Sequence, residues 1–387
     1  MNPQAAKNLS GGRLPELDGL RAVAILLVLA YHALPHVPVR WIQQDVNIGW
    51  VGVDLFFVLS GFLIGGTLLD HRAAPNYYSV FFARRFFRIV PLYALVVAPG
   101  LLVVGLGCQR WFAGHSLANQ PTSAIWFCPF FLQNVAVSLF WLLPKYLIPT
   151  WSVAVEEQFY LLLPPLVRRL KPRQLRLILG LGILSAPVFR GGLLLAFGER
   201  AQTACYVLLP CRWDSLLLGA AAALAFRDGR RRQWLAGHRR GLHYIWGGAG
   251  AAAALLAWHS PSLLNPVMAV FGYTVFDFFF AATLLLAVLN PHGGLHRVLR
   301  QPFFKPIATV SYGLYLLHSP MLAVCESLCR GFHITYAEIS WTATGVVAVS
   351  LTATALAAAA SWYFFERRFL LWGRRYQFQS QEASSAR

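Results

Sequence analysis

The stretch Gly49-Trp50-Val51-Gly52-Val53-Asp54-Leu55-Phe56-Phe57-Val58-Leu59-Ser60-Gly61-Phe62-Leu63-Ile64-Gly65-Gly66-Thr67-Leu68-Leu69 decides the fold class. It carries a single charge, Asp54, and matches the roughly 20 apolar residues needed to cross a hydrocarbon core. The whole chain has the same character: 57% of its 387 residues are apolar, only 12% are charged, and the mean hydropathy is +0.53. Too few charges exist to cover a water-soluble fold of this size, so the composition is that of a membrane chain. The fold class is therefore all-α, a polytopic integral membrane helical bundle of about ten transmembrane helices.

Working outward, candidate spans fall at 17–35, 49–69, 89–107, 149–167, 175–196, 206–226, 242–259, 266–289, 307–327 and 339–364. The first starts after a polar leader and carries Arg21 and His32, so it reads as a retained span and not a cleaved signal peptide. With the N-terminus inside, 26 of the 33 Lys and Arg residues fall in inner segments and five in outer ones. This asymmetry is the positive-inside pattern, and it also explains the net charge of +18 without a nucleic-acid partner. Counting 123–140 as a further span would invert everything after it; with Pro129, Gln133 and Asn134, it reads as a re-entrant or surface segment. Residues 1–370 then form one transmembrane domain and 371–387 a cytoplasmic tail. Both termini are expected in the cytoplasm, and the lipid bilayer itself is the first partner.

Ionisable groups inside spans are costly and usually line a site or pair between helices. Here they are Arg21, His32, Asp54, Glu156, Glu157, Arg190, Arg212, Asp214, Asp277 and His318. Such a set suits a polar interior better than an inert scaffold. Arg21 and His32 are eleven residues apart, ~20° from whole turns and ~16 Å along a helix, so both face one way. Asp18 joins that stripe; His32 alone could equally make an ordinary interhelical hydrogen bond. Asp54 is expected to pair with a cation such as His32 or Arg212, and Ser60-Gly61 to serve close packing.

Pro149-Thr150-Trp151-Ser152-Val153-Ala154-Val155-Glu156-Glu157-Gln158-Phe159-Tyr160 puts Glu156 and Tyr160 on one face, with Glu157 turned ~100° away. Glu156 in a dry site suits acid/base work; the alternative is an interfacial carboxylate anchored by Trp151. Ser311, Tyr315 and His318 make a hydroxyl–phenol–imidazole stripe, or else an interfacial aromatic cluster. Arg84, Arg85 and Arg88, in the first inner loop, are suited to phosphate, or serve topology alone. No metal-ligand spacing occurs. Cys108, Cys128, Cys205 and Cys329 fall near the outer face, where Cys108 with Cys128 could form a disulfide; all could also be small apolar fillers.

These segments resemble the acyltransferase 3 family of membrane-bound acyltransferases. The agreement lies in Leu17-Asp18-Gly19-Leu20-Arg21-Ala22 with His32 (an Arg-x10-His pattern), Gly52 to Phe62, Arg85-x-x-Arg88, Trp151 to Tyr160, Ser311 to His318, and Tyr363-Phe364-Phe365-Glu366, in family order from end to end. Arg367 and Arg368 stand where the family commonly has proline after the last Glu. The resemblance implies transfer of a short acyl group, most often acetyl, from cytoplasmic acyl-CoA as co-substrate, with no permanently bound cofactor. The acceptor would be a hydroxylated cell-envelope glycan, a glycolipid or a macrolide-type small molecule, in a bacterial inner membrane. Arg21, Arg85 and Arg88 would serve donor binding, and His32 would act as general base or acyl carrier with Glu156 beside it. Asp18, Asp54, Trp151, Tyr160, Ser311, Tyr315 and His318 would support the cavity. Some relatives append an extracytoplasmic esterase-like domain; here completion is expected from the membrane domain or a separate extracytoplasmic partner. The main rival is a secondary transporter, which would suit buried charges and helices broken at Pro99, Pro187 and Pro210, although no repeat relates the two halves.

Overall fold

The computed structural model describes residues 14–39, 48–106, 123–140, 143–260, 262–332, 334, 337 and 339–379. Among these residues there is no strand, and ten long helices run in sequence. They are α1 Pro15–Ala33, α2 Gly52–Asp70, α3 Tyr77–Gly105, α4 Trp151–Arg169, α5 Pro172–Phe197, α6 Leu209–Arg227, α7 Arg239–His259, α8 Tyr273–Leu289, α9 Phe304–Gly331 and α10 Trp341–Ser361. A shorter α11, Arg367–Arg374, follows a π-helical turn at Trp362–Glu366. Each expected span overlaps one long helix. Among the described residues, seven stretches are long and apolar enough to cross a membrane, one of which, Pro172–Arg227, contains both α5 and α6. Helices α4 and α7 fall short of that measure: α4 carries Glu156, Glu157 and Pro164-Pro165, and α7 opens on Arg239-Arg240.

Prolines mark several helix starts, at Pro15 in α1, Pro172 in α5 and Pro210 in α6, where a missing N–H costs nothing. The expectation of helices broken at Pro99 and Pro187 is not met. Both lie inside continuous helices, a tolerance usual where neighbouring helices satisfy the freed carbonyls. The segment 123–140 folds as a 3₁₀ turn, Ser123–Phe130, and a short helix, Gln133–Phe140, hinged at Phe131, whose φ is +53°. Neither piece is long enough to span. Cys108 lies outside the described residues. Cys128 is buried and free, and burial pushes its thiol up to about 12, which fits a filler.

One end of the bundle gathers the basic segments. Arg227 at the end of α6 clasps Asp70 at the end of α2 with bonds of 2.7 and 2.8 Å. Arg168 of α4 donates to the carbonyls of Arg72 and Ala74 at 2.6 and 2.7 Å. Arg300 lies 3.5 Å from Glu16 of α1, and Asn76 donates to the Gln377 carbonyl at 2.9 Å. The basic clusters assigned to one membrane side thus meet at one end.

Helix α2 is the central element and packs most extensively on α6. A Cβ at Gly61 would overlap the Leu216 carbonyl, and one at Gly219 the Val58 carbonyl, so glycine on both helices sets their close approach. Beside this seam lie five completely buried charged side chains. Asp54 pairs with Arg212, not His32. Arg190 bonds Asp214 at 2.9 Å and Thr274 at 2.5 Å. The fifth, Asp277, makes no ion pair among the described residues. The Arg212 guanidinium lies 4.4 Å from the Tyr273 ring centroid and 5.2 Å from that of Tyr206. Trp151 packs into this aromatic cluster against Phe57 and Tyr206.

Candidate active site

Two connected cavities run between α1, α2, α3, α4 and α9. The wider, about 940 Å³, opens among the basic segments. The narrower, about 310 Å³, continues it toward the other end. Arg21, Arg85, Arg88, Ser311 and Tyr312 line both, so they form one tapering chamber.

Seven arginines and three carboxylates line the wide part. Arg85 and Arg88 had been expected in a loop. Instead α3 begins at Tyr77, so the two arginines project from adjacent turns of one helix face into the chamber. At 29 residues α3 is ~43 Å long, more than a hydrocarbon core needs, which leaves its first turns outside that core. Arg84 is already engaged: its Nε donates to the Tyr376 carbonyl at 2.7 Å and its guanidinium lies 5.2 Å from the Phe378 ring. Arg85 Nε has no hydrogen-bond partner among the described residues. Asp18 lies 3.6 Å from Arg21 at the mouth. The π turn at Trp362–Glu366 brings Glu366 to the same wall, where Ser361 donates to it at 2.9 Å.

In the throat, Ser60 Oγ and the Tyr160 hydroxyl lie 2.9 Å apart, and Tyr160 donates to Glu156 Oε2 at 3.1 Å. Glu156 faces the chamber, whereas Glu157 is not among its lining residues, as their ~100° separation requires. At the narrow end the Tyr315 hydroxyl donates to the Pro149 carbonyl at 2.8 Å and lies 2.6 Å from Ser152 Oγ. One turn further along α9, His318 meets His32 of α1, with ring centroids 4.7 Å apart.

The structure therefore sorts the expected site residues. Arg21, Arg85, Arg88, Glu156, Tyr160, Ser311 and Tyr315 line the chamber, with Asp18 at its mouth. Asp54 and Trp151 do not, because the Arg212 pair and the aromatic cluster claim them. His32 and His318 are absent from the lining too: Tyr315 and Ser152 close the narrow end short of them. Glu156 bonds Tyr160, and the ring against His32 is that of His318. Ser60, read as a packing residue, belongs to the throat. Its spacing from Phe56, Leu63 and Thr67, all on one face of α2, is the signal that could have found it. Ser152 and Tyr312 were likewise passed over.

A helical membrane bundle around an arginine-lined, tapering chamber is the class of protein that fold and site define. The profile of the acyltransferase domain family matches residues 14–364, and the chain belongs to that family. It is 29% identical over 367 residues to the peptidoglycan O-acetyltransferase OatA of Listeria monocytogenes, covering 91% of this chain and 55% of that protein. To the O-acetyltransferase OatA of Staphylococcus aureus it is 26% identical over 376 residues, covering 91% of this chain and 56% of that one. To the acyltransferase MdmB of Streptomyces mycarofaciens it is 26% identical over 372 residues, covering 89% and 88%. The chain thus spans about half the length of the two OatA proteins and most of MdmB. No solved structure is significantly similar. Membership of an acyltransferase family leaves the transporter reading without support.

Proposed function

We propose that this protein is a membrane O-acyltransferase that moves a short acyl group, acetyl above all, from cytoplasmic acyl-CoA to a hydroxyl of a cell-envelope glycan. The observation that carries this reading is the taper: an arginine-rich mouth of about 940 Å³ leading to a hydroxyl- and carboxylate-lined throat of about 310 Å³. A CoA ester has that profile, phosphates at one end and a slender neutral arm at the other. Arg85 and Arg88 hold phosphate oxygens through paired guanidinium hydrogen bonds, with Arg21 deeper in the chamber. The basic end faces the cytoplasm of an inner membrane, with both termini there, in keeping with the positive-inside rule. The two O-acetyltransferases among the relatives support the acetyl and glycan parts of the reading.

The imidazole pair lies on the far side of Tyr315 from the donor mouth, which favours His32 acting on the acceptor. Its Nδ1 is 2.8 Å from the Val28 carbonyl, which can only accept, so the neutral ring carries its proton there and leaves the Nε2 lone pair as base. As the acceptor oxygen attacks the thioester carbon, its proton passes to Nε2. The C–S bond then breaks, and the leaving thiolate takes up the proton from Nε2, which restores the neutral base. A turn of the Ser152 side chain, with the Tyr315 ring kept on the Pro149 carbonyl, joins the two halves of the site. The test is purified protein in vesicles without any gradient, given acetyl-CoA and envelope glycan fragments. Free CoA thiol and acetylated glycan should appear together; CoA ester left intact with every acceptor would overturn the reading.

A further inference from the structure

The chamber has a measurable depth along α2. Phe56, Ser60, Leu63 and Thr67 line it at helical spacing, and Asp70 lies at its mouth. Thr67 to Phe56 is eleven residues, ~16 Å along a helix, comparable with an extended pantetheine arm. With phosphates at the arginines, a donor lying along this stripe delivers its sulfur and acyl group to the level of Phe56. We infer that Phe56, backed by Tyr315, is the stop that gauges the acyl group, accepting acetyl and turning away longer chains. This rests on the acyl-CoA reading above.

The wall at that level is stiff on one side and adjustable on the other. Tyr315 is fixed by hydrogen bonds to Pro149 and Ser152, at 2.8 and 2.6 Å, so its ring cannot swing aside without losing both. Phe56 meets that ring edge-on with centroids 6.1 Å apart. Val53 and Val153 complete the apolar end, and both are buried. Extra methylenes would have to displace packed side chains, which close-packed interiors resist. One methylene against such a wall changes discrimination by about 10- to 200-fold.

The experiment measures kcat/KM for CoA release from acetyl-, propionyl-, butyryl- and hexanoyl-CoA by the full chain in lipid nanodiscs. Wild-type protein should lose about tenfold or more between acetyl and butyryl. Phe56→Ala and the milder Phe56→Leu should raise the butyryl-to-acetyl kcat/KM ratio by about tenfold, whatever their absolute rate with acetyl-CoA. A flat wild-type length profile overturns the gauge, as does an unchanged profile in a Phe56 variant that still uses acetyl-CoA. Wild-type protein that consumes no acyl-CoA at all overturns the donor reading and the gauge with it.

Discussion

His32 and His318 face each other across α1 and α9 with ring centroids 4.7 Å apart, and each Nδ1 is tied to a backbone carbonyl of its own helix. The His32 bond is to Val28 at 2.8 Å and the His318 bond to Tyr315 at 2.6 Å. A carbonyl only accepts, so both neutral rings present an Nε2 lone pair, and that of His318 is buried with no hydrogen-bond partner among the described residues. Two oriented imidazoles thus stand together beyond the closed end of the arginine-lined chamber, and the proposed mechanism draws its base from them.

From this arrangement follows the effect of removing the base. His32→Gln keeps a polar side chain but cannot take up a proton. It should lower kcat by about 10²- to 10⁴-fold, the usual worth of a general base, with little change in donor KM. Initial rates over a range of acetyl-CoA concentrations check this. Normal turnover in both His32→Gln and His32→Ala would exclude His32 as base and as acyl carrier alike.

The arginines on α3 separate charge from geometry. A double Arg85→Lys, Arg88→Lys variant keeps every positive charge that topology needs but loses the planar forks that match phosphate oxygens. Membrane insertion should be normal, while acyl-CoA affinity falls about tenfold in a direct binding measurement. Unchanged affinity would reduce the pair to a topology signal.

In the throat, Ser60 Oγ lies 2.9 Å from the Tyr160 hydroxyl, which in turn donates to Glu156. Ser60→Ala removes one hydrogen bond of ordinary strength, about 0.5–1.5 kcal/mol. The expected outcome is a severalfold fall in kcat/KM with thermal stability nearly unchanged. Tyr160→Phe, which breaks both links, should cost more than Ser60→Ala; equal losses would mean that the Tyr160–Glu156 bond adds nothing of its own.

How far these residues could be read from the sequence depends on the kind of information each needed. The spans were legible because membrane crossing imposes length and apolarity residue by residue. The single-helix relationship of Glu156 to Tyr160 was legible too, because four residues of α-helix fix a shared face. Relationships between helices were not. Asp54 had two candidate cations, and only the packing of α2 on α6, set by Gly61 and Gly219, chose Arg212. The partner of His32 is equally a matter of where α9 lies. Arg85 and Arg88 were recognised as a pair but placed in a loop, because the hydropathy signal begins at Ile89 while the helix begins about three turns earlier.

The buried charges permit one more test, independent of catalysis. Two arginines, Arg190 and Arg212, share the dry interior with three carboxyl side chains, Asp54, Asp214 and Asp277. Arg212→Ala would leave Asp54 without its partner, and breaking a buried pair from one side costs about 3–5 kcal/mol. Asp277→Asn does the opposite: it removes the carboxyl that exceeds the arginine count and that makes no ion pair among the described residues. The thermal midpoint of the detergent-solubilised protein should therefore fall steeply in Arg212→Ala and stay near or above wild type in Asp277→Asn. An Arg212→Ala, Asp54→Ala double variant should recover part of the loss, since no orphaned charge remains. Should Asp277→Asn prove as damaging as Arg212→Ala, Asp277 would have to be holding one of the arginines, and the interior charges would form a single coupled network instead of two pairs and a bystander.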